Sequence, residues 1–245
     1  MRGLLAIYRR EMAGLFFGPL AWVLLALVFL LNGYLFVLYL KSSGGNVDTA
    51  VRLSLGDSWA FWVLLILVPP LLTMRMVSEE SKSGLLEFLL TAPISDASVI
   101  VGKFLAATTF LALMWSAVFV YAGALSTLGA APDTGVLIGG WIGAVLASAL
   151  FSAVGLLASA LTNTPVLAAF GAVLMNLVIV IAPLLSNLSD DPVFQRAIRH
   201  IDVIDHHTNS FLLGLFDTSY AVFFVAWTVL FLFLTVRALE TRRWA

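Results

Sequence analysis

The chain is poor in charged residues and contains no cysteine. Of its 245 residues, 61% are hydrophobic and 11% are charged, whereas soluble domains are about 45–50% apolar and about 25% charged. The mean hydropathy of +1.04 is too high for a soluble fold of this length to bury its apolar side chains. The lack of cysteine excludes disulfides, zinc–thiolate sites and thiol catalysis. The composition therefore predicts an all-α polytopic membrane protein, and a net charge of -1 offers no basic surface for nucleic acid.

Six apolar stretches are candidates for crossing the lipid bilayer, which takes about 20 residues. They lie at 19–40, 59–74, 104–128, 136–161, 165–188 and 220–236. The second is short, and we expect Pro69 and Pro70 to kink or break it. These stretches predict one transmembrane domain over residues 1–245, with a long connection at 189–219.

Lysine and arginine are distributed unevenly between the two sides of this predicted bundle. Nine of them fall on the side of the termini and four on the other. The excess of positive charge in cytoplasmic loops predicts that both termini, and the segment 73–103, face the cytoplasm. Residues 1–17 place apolar and basic side chains on opposite helical faces, which is typical of an amphipathic helix on the membrane surface. The apolar run after it is too long for a signal peptide, so we expect a retained first span.

Ionisable side chains are absent from the six predicted spans. Ion-coupled carriers and proton relays need such groups at membrane depth, so a gradient-driven carrier is only a remote alternative. The deepest polar groups are Asn32 and Asn176. We expect them to form hydrogen bonds between helices, and the alternative is that they line a substrate pathway.

Motifs for catalysis and nucleotide binding are also missing. Gly102-Lys103 resembles the end of a P-loop, but Phe104 follows it and the earlier glycine is absent. The chain has no HExxH and no GxSxG motif. We therefore expect no catalytic residue, no metal site and no cofactor bound by this chain. The cluster of His and Asp at 200–207 is interpreted as an interfacial helix rather than a metal site.

Charge is concentrated in one segment, residues 73–103, around the apolar run GLLEFLL. Ser95 and Asp96 predict the start of a helix, because a side-chain oxygen and an acid both stabilise a helix N-terminus. Residues 79–92 then form a short segment at the cytoplasmic mouth. An apolar surface held at an aqueous face usually indicates a partner. Packing of this run against the bundle is the alternative, and the residues alone do not decide between them.

The stretch RMVSEESKSGLLEFLLTAPIS at 75–95, followed by Gly102-Lys103, resembles the signature of ABC-2-type permeases, the membrane subunits of ATP-binding cassette exporters. GPLAWVLLALVFLLNGYLF at 18–36 and HHTNSFLLGLFDTSYAVFFV at 206–225 are similar to its gliding-motility-associated branch. The resemblance implies a coupling helix at 79–92 that docks on a separate cytoplasmic ATPase, which carries ATP and Mg. The residues assigned to this contact are Glu79, Glu80, Lys82, Gly84, Leu85, Glu87, Phe88 and Leu89.

The same resemblance implies a connecting helix at 1–17 and a pathway built by two permease copies, a homodimer. Arg9, Arg10, Arg75 and Lys103 are assigned to the cytoplasmic interface. An auxiliary membrane protein with an extracytoplasmic domain is a further expected partner. Because the outer connections are short, the alternative function is a non-transporting scaffold that passes ATPase motion to such a partner.

Overall fold

The computed structural model describes residues 2–83, 95–184, 195, 198, 200–214 and 217–243, and every regular element in them is helical. The all-α polytopic fold is thereby confirmed. In chain order the helices are α1 (Arg2–Phe17), α2 (Pro19–Ser42), α3 (Val47–Leu55), α4 (Trp59–Thr73), α5 (Ser78–Lys82), α6 (Asp96–Trp115), α7 (Ala117–Ser126), α8 (Thr134–Leu161), α9 (Pro165–Ile181), α10 (Val203–Thr208) and α11 (Thr218–Arg243). A short 3-10 helix, Phe211–Leu213, follows α10.

Six helical segments in the described residues are long and apolar enough to span a membrane. They are Pro19–Ser42, Val47–Lys82, Asp96–Ser126, Thr134–Leu161, Pro165–Leu184 and Thr218–Thr241, called spans 1 to 6 below. Span 2 combines α3, α4 and α5. The predicted stretch 59–74 corresponds to α4, Trp59–Thr73, and α3 and α5 flank it.

Span 2 is broken between α3 and α4. Gly56 has a φ of 151°, in the positive region that disfavours any side chain. A Cβ added there would also lie 2.3 Å from Nε2 of His207. The break therefore requires glycine for two reasons, the backbone conformation and the lack of space. Further along the span, Pro69 and Pro70 lie inside α4, which continues through them to Thr73.

Helix α8 is the centre of the bundle. In its membrane window 83% of the residues are buried inside the chain, compared with 22% for span 5. Its small residues allow this close packing. A Cβ on Gly139 would lie 2.4 Å from the carbonyl oxygen of Phe211, and one on Gly155 would lie 2.1 Å from Oγ1 of Thr73. These small residues therefore serve packing within the chain.

The N-terminal helix α1 packs against α6 at the start of span 3. Ile7 is buried, and its Cγ2 would lie 2.9 Å from a Cβ placed on Gly102. At the other end of α1 the Phe16 ring lies 5.8 Å from the Phe110 ring. Helix α1 is thus held against span 3 along its length, and Gly102 permits the close approach beside Lys103.

Candidate coupling site and outer clasp

Four charged side chains from three helices meet at one end of the bundle. We call Arg10 and Glu11 of α1, Glu80 of α5 and Lys103 of α6 the cytoplasmic joint, after the side of the membrane that the distribution of Lys and Arg predicts for them. Lys103 Nζ lies 2.9 Å from Glu11 Oε1 and 2.8 Å from Glu80 Oε2. Arg10 pairs with Glu11 at 2.6 Å and also with Glu80. Each carboxylate thus contacts both cations, so the four charges balance within the joint.

Burial makes these pairs interdependent. The Lys103 side chain is 1% exposed, and those of Glu11 and Glu80 are 15% and 12% exposed. Burial alone would raise the pKa of Glu11, but the charge of Lys103 and hydrogen bonds from Arg10 and Lys103 outweigh it and hold the pKa below its ordinary value. Burial likewise opposes the charge on Arg10, yet the two carboxylates raise its pKa. The surrounding charges therefore favour the charged forms of Glu11 and Arg10.

Side chains, rather than close packing of helices, connect α1 to the end of span 2. A cavity of about 350 Å³ opens between them, with Glu11, Leu15 and Pro19 on one side and Leu72 and Glu80 on the other. The ion pairs of Glu80 bridge α5 to α1 and α6 at the edge of this cavity. A displacement of α5 consequently acts on α1 and span 3 through the joint.

A second contact fixes the turn at which α4 ends and α5 begins. Ser159 of α8 is fully buried, and its Oγ accepts hydrogen bonds from the backbone N–H groups of Val77 at 3.2 Å and Ser78 at 3.1 Å. The same hydroxyl donates to the carbonyl oxygen of Met74 at 2.9 Å. One side chain of the central helix therefore satisfies three backbone groups next to α5.

The other residues assigned to the cytoplasmic face are more accessible. Arg75 and Glu79 pair at 3.3 Å one helical turn apart, with side chains 57% and 51% exposed. Lys82 and Arg9 are exposed. Glu80 differs from these, because it binds Arg10 and Lys103 of its own chain. Five predicted coupling residues lie outside the described residues: Gly84, Leu85, Glu87, Phe88 and Leu89.

At the other end of span 2, His207 holds the connection between spans 5 and 6 against the bundle. This side chain is fully buried, and Nε2 donates a hydrogen bond of 2.7 Å to the carbonyl oxygen of Leu55, the last residue of α3. Its ring stacks on Phe61 at 5.3 Å and lies edge-on to Trp62 at 5.5 Å. We call this contact the outer clasp. It ties α10 to the break in span 2.

The outer clasp depends on a neutral histidine and on small neighbours. Burial lowers the pKa of His207 to about 4 from an ordinary 6.5, although the hydrogen bond to Leu55 acts in the opposite direction. A Cβ on Gly143 of α8 would lie 2.8 Å from Cε1 of His207. His206, by contrast, stacks on Phe223 at 4.3 Å. In the described part of the chain no three His, Asp or Glu side chains come together as a metal site.

The two asparagines predicted to join helices lack the expected hydrogen bonds in the described residues. Asn176 of α9 is fully buried, and neither its Oδ1 nor its Nδ2 has a hydrogen-bond partner. Asn32 of α2 is buried and its Oδ1 is also unpaired. Two other polar side chains, both tryptophans, do form hydrogen bonds between helices. Trp115 donates to Ser148 at 2.8 Å, and Trp141 donates to the carbonyl oxygen of Ala112 at 3.2 Å.

Three residues of these sites were not predicted as functional. Glu11 is an acid on the otherwise basic helix α1, and that departure from the pattern was the available signal. Ser159 is one of several serines in α8, so the sequence did not distinguish it. His207 was interpreted as part of an interfacial helix; the apolar residues near it gave no indication that its ring is buried beneath span 2.

These features together define a multi-pass membrane protein in which α5, at the end of span 2, is joined to α1, span 3 and α8 by ion pairs and hydrogen bonds. The chain matches the ABC-2 family transporter protein family over residues 5–244, so it belongs to that family. It is therefore a permease component of an ABC transporter, and the family is one of membrane subunits. The gliding-motility branch stays a prediction. No curated protein matches the chain.

Proposed function

We propose that this chain is the transmembrane subunit of an exporter driven by a separate cytoplasmic ATPase, and that the cytoplasmic joint transmits the ATPase's motion. The observation that carries the proposal is the position of Glu80. It lies at the start of the predicted coupling segment 79–92 and ion-pairs with both α1 and span 3. Family membership supports the permease role; the direction of transport and the partner ATPase belong to the proposal.

The first step is contact between the ATPase and the coupling segment. Glu79 and Lys82 are exposed on α5 and available to a partner. The apolar residues after them, with Phe88 at the centre, supply the anchors, since a few buried aromatic or apolar side chains dominate most interfaces. Charges at the rim, such as Glu79, contribute less, about 0–1 kcal/mol.

The second step is transmission from α5 to the bundle. Glu80 carries a displacement of α5 to Lys103 and so to span 3, and to Arg10 and so to α1. The hydroxyl of Ser159 carries it to α8, the central helix. ATP binding can drive the change only if the ATPase contacts the two states of the bundle differently. Because α5 is connected to α1, span 3 and α8, a difference in how the ATPase contacts α5 would act on all three.

The third step is a change at the outer end of span 2, where His207 holds α10 against the break. Two copies of the chain form the pathway, with both termini in the cytoplasm of a bacterial inner membrane. ATP and Mg bind the partner, and the chain itself has no catalytic role. An auxiliary protein with an extracytoplasmic domain would contact the outer connections.

The test uses proteoliposomes that contain the full chain and its ATPase. We expect the chain alone to show no ATP hydrolysis, and the complex to show hydrolysis that the chain regulates. Glu80→Gln removes the charge but keeps the side-chain shape, and we expect it to assemble with the ATPase while losing this regulation. Glu240→Gln is the matched control, because it makes the same change at an exposed ion pair with Arg237, outside the coupling segment. Normal regulation in Glu80→Gln would contradict the proposed transmission.

A non-transporting scaffold is the second candidate. The tight outer clasp and the short outer connections favour it, because motion at span 2 would reach α10 directly. ATP-dependent movement of a solute across the proteoliposome membrane supports the exporter. If ATP changes the conformation of the outer connections while no solute crosses, the scaffold is the better account.

A further inference from the structure

We infer that the break in span 2 binds one ordered water molecule, which hydrogen-bonds Asn32 Oδ1 of span 1 and Ser58 Oγ of span 2. This site is independent of the proposed function. It concerns how spans 1 and 2 are joined at the point where span 2 is interrupted. It also gives a role to Asn32, whose Oδ1 has no protein partner.

The first observation is a small cavity between α2, α3 and α4. Its volume is about 10 Å³, and both Asn32 and Ser58 line it. A single water needs a cavity of about 10–15 Å³ on this measure, so the space fits one water and nothing larger. Because Ser58 directly precedes α4, the cavity lies at the start of that helix.

The second observation is that two polar atoms on the lining lack partners. Asn32 is 8% exposed, and its Oδ1 is buried without a hydrogen bond. Ser58 Oγ is also buried and without a partner. The Ser58 side chain makes no capping hydrogen bond at the start of α4. Buried polar groups are almost always hydrogen-bonded, so two such atoms on one cavity indicate a shared ligand.

The third observation is the chemistry of the lining. Asn32, Ser54 and Ser58 offer neutral oxygen atoms, and no carboxylate lines the cavity. Water matches this set because it can donate to Asn32 Oδ1 and exchange a hydrogen bond with the Ser58 hydroxyl. A cation would leave its charge uncompensated beside this neutral lining, and an unpaired buried charge is costly.

The neighbouring groups at the break are already satisfied by side chains. The Leu55 carbonyl accepts from His207, and the Gly56 carbonyl accepts from Trp62 Nε1 at 2.9 Å. Buried backbone groups outside a regular helix need partners of this kind. The water completes the set on the side of the break that faces span 1, and it links the two spans.

The direct test is a high-resolution structure of the full chain in nanodiscs, with its ATPase bound if the complex requires it. We expect a density peak within hydrogen-bond distance of both Asn32 Oδ1 and Ser58 Oγ, and no such peak in Asn32→Leu. The inference is overturned if Asn32 instead bonds a protein group and the cavity is empty. It is also overturned if the peak disappears when sodium is replaced by a larger cation.

A thermal double-mutant cycle tests the shared ligand without a structure. Removing either partner releases the water, so Asn32→Leu and Ser58→Ala should each lower the unfolding midpoint by a few degrees. The midpoint of the double variant should be only slightly lower than that of the less stable single variant. Ser116→Ala is the control, because that hydroxyl bonds Ala112 of its own helix and should be additive with Asn32→Leu. Full additivity of Asn32→Leu with Ser58→Ala would contradict a shared water.

Discussion

Replacing Lys103 with methionine is the sharpest perturbation of the cytoplasmic joint. Methionine keeps an unbranched apolar side chain but removes the ammonium group that neutralises Glu11 and Glu80. Breaking a fully buried ion pair by removing one partner costs about 3–5 kcal/mol. Arg10 still pairs with both carboxylates and is 42% exposed, so water screens part of the loss. We therefore expect Lys103→Met to lower the free energy of unfolding by about 3 kcal/mol.

The assay is thermal unfolding of the purified chain in detergent or nanodiscs. For a chain of this size, about 1 kcal/mol corresponds to about 2–4 °C, so the expected drop is about 6–12 °C. Glu80→Gln should lower the free energy of unfolding less in the Lys103→Met variant than in the wild type, with a coupling energy of about 1–3 kcal/mol between the two positions. Lys82→Met is the exposed control and should change the midpoint little. A Lys103→Met midpoint equal to the wild-type value, or additivity with Glu80→Gln, would refute the joint.

The outer clasp predicts that stability depends on pH, because His207 binds a proton more readily in the unfolded chain than in the folded one. Lowering the pH from 7 to 5 should therefore reduce the free energy of unfolding by about 2 kcal/mol. In thermal unfolding measured over a series of pH values, His207→Gln should lose this dependence. Gly139→Ala places a Cβ 2.4 Å from the Phe211 carbonyl and should lower the midpoint by several degrees, whereas Gly123→Ala, where nothing lies within 4 Å, should not. For topology, a cysteine at Ser43 should react with an impermeant thiol reagent added to intact cells and one at Ser81 should not; labelling of Ser81 would overturn the orientation.

The sequence predicted the overall architecture because bilayer thickness imposes a length on every apolar helix. The number of spans and the helix that begins at Asp96 agree with that reasoning, and Ser95 accepts a hydrogen bond from the Ser98 N–H as an N-cap does. The predicted stretch 59–74 corresponds to α4, Trp59–Thr73. The preceding helix α3 did not follow from that reasoning, since it carries Arg52, which pairs with Asp57 at 3.5 Å.

The candidate site was less predictable, because its partners are distant in sequence. Charge pattern identified Glu80, Arg10 and Lys103 as cytoplasmic residues, but it could not show that they bind one another rather than an ATPase. That pairing depends on how α1 packs on α6, which Gly102 and Ile7 determine. The role of His207 likewise depends on a break in span 2 that the sequence placed outside the membrane.

The central claim, that ATPase motion reaches the outer end of the bundle through the cytoplasmic joint, can be measured with one cysteine. The chain has none of its own, so Ser210→Cys, a nearly fully buried position beside the outer clasp, gives a single reporter. In nanodiscs with the ATPase, ATP and vanadate should change the rate at which an impermeant thiol reagent labels it. Adding Glu80→Gln should abolish that change while the ATPase stays bound, and adding Glu240→Gln, at an exposed ion pair outside the coupling segment, should preserve it. An unchanged response in the Glu80→Gln complex would contradict the account.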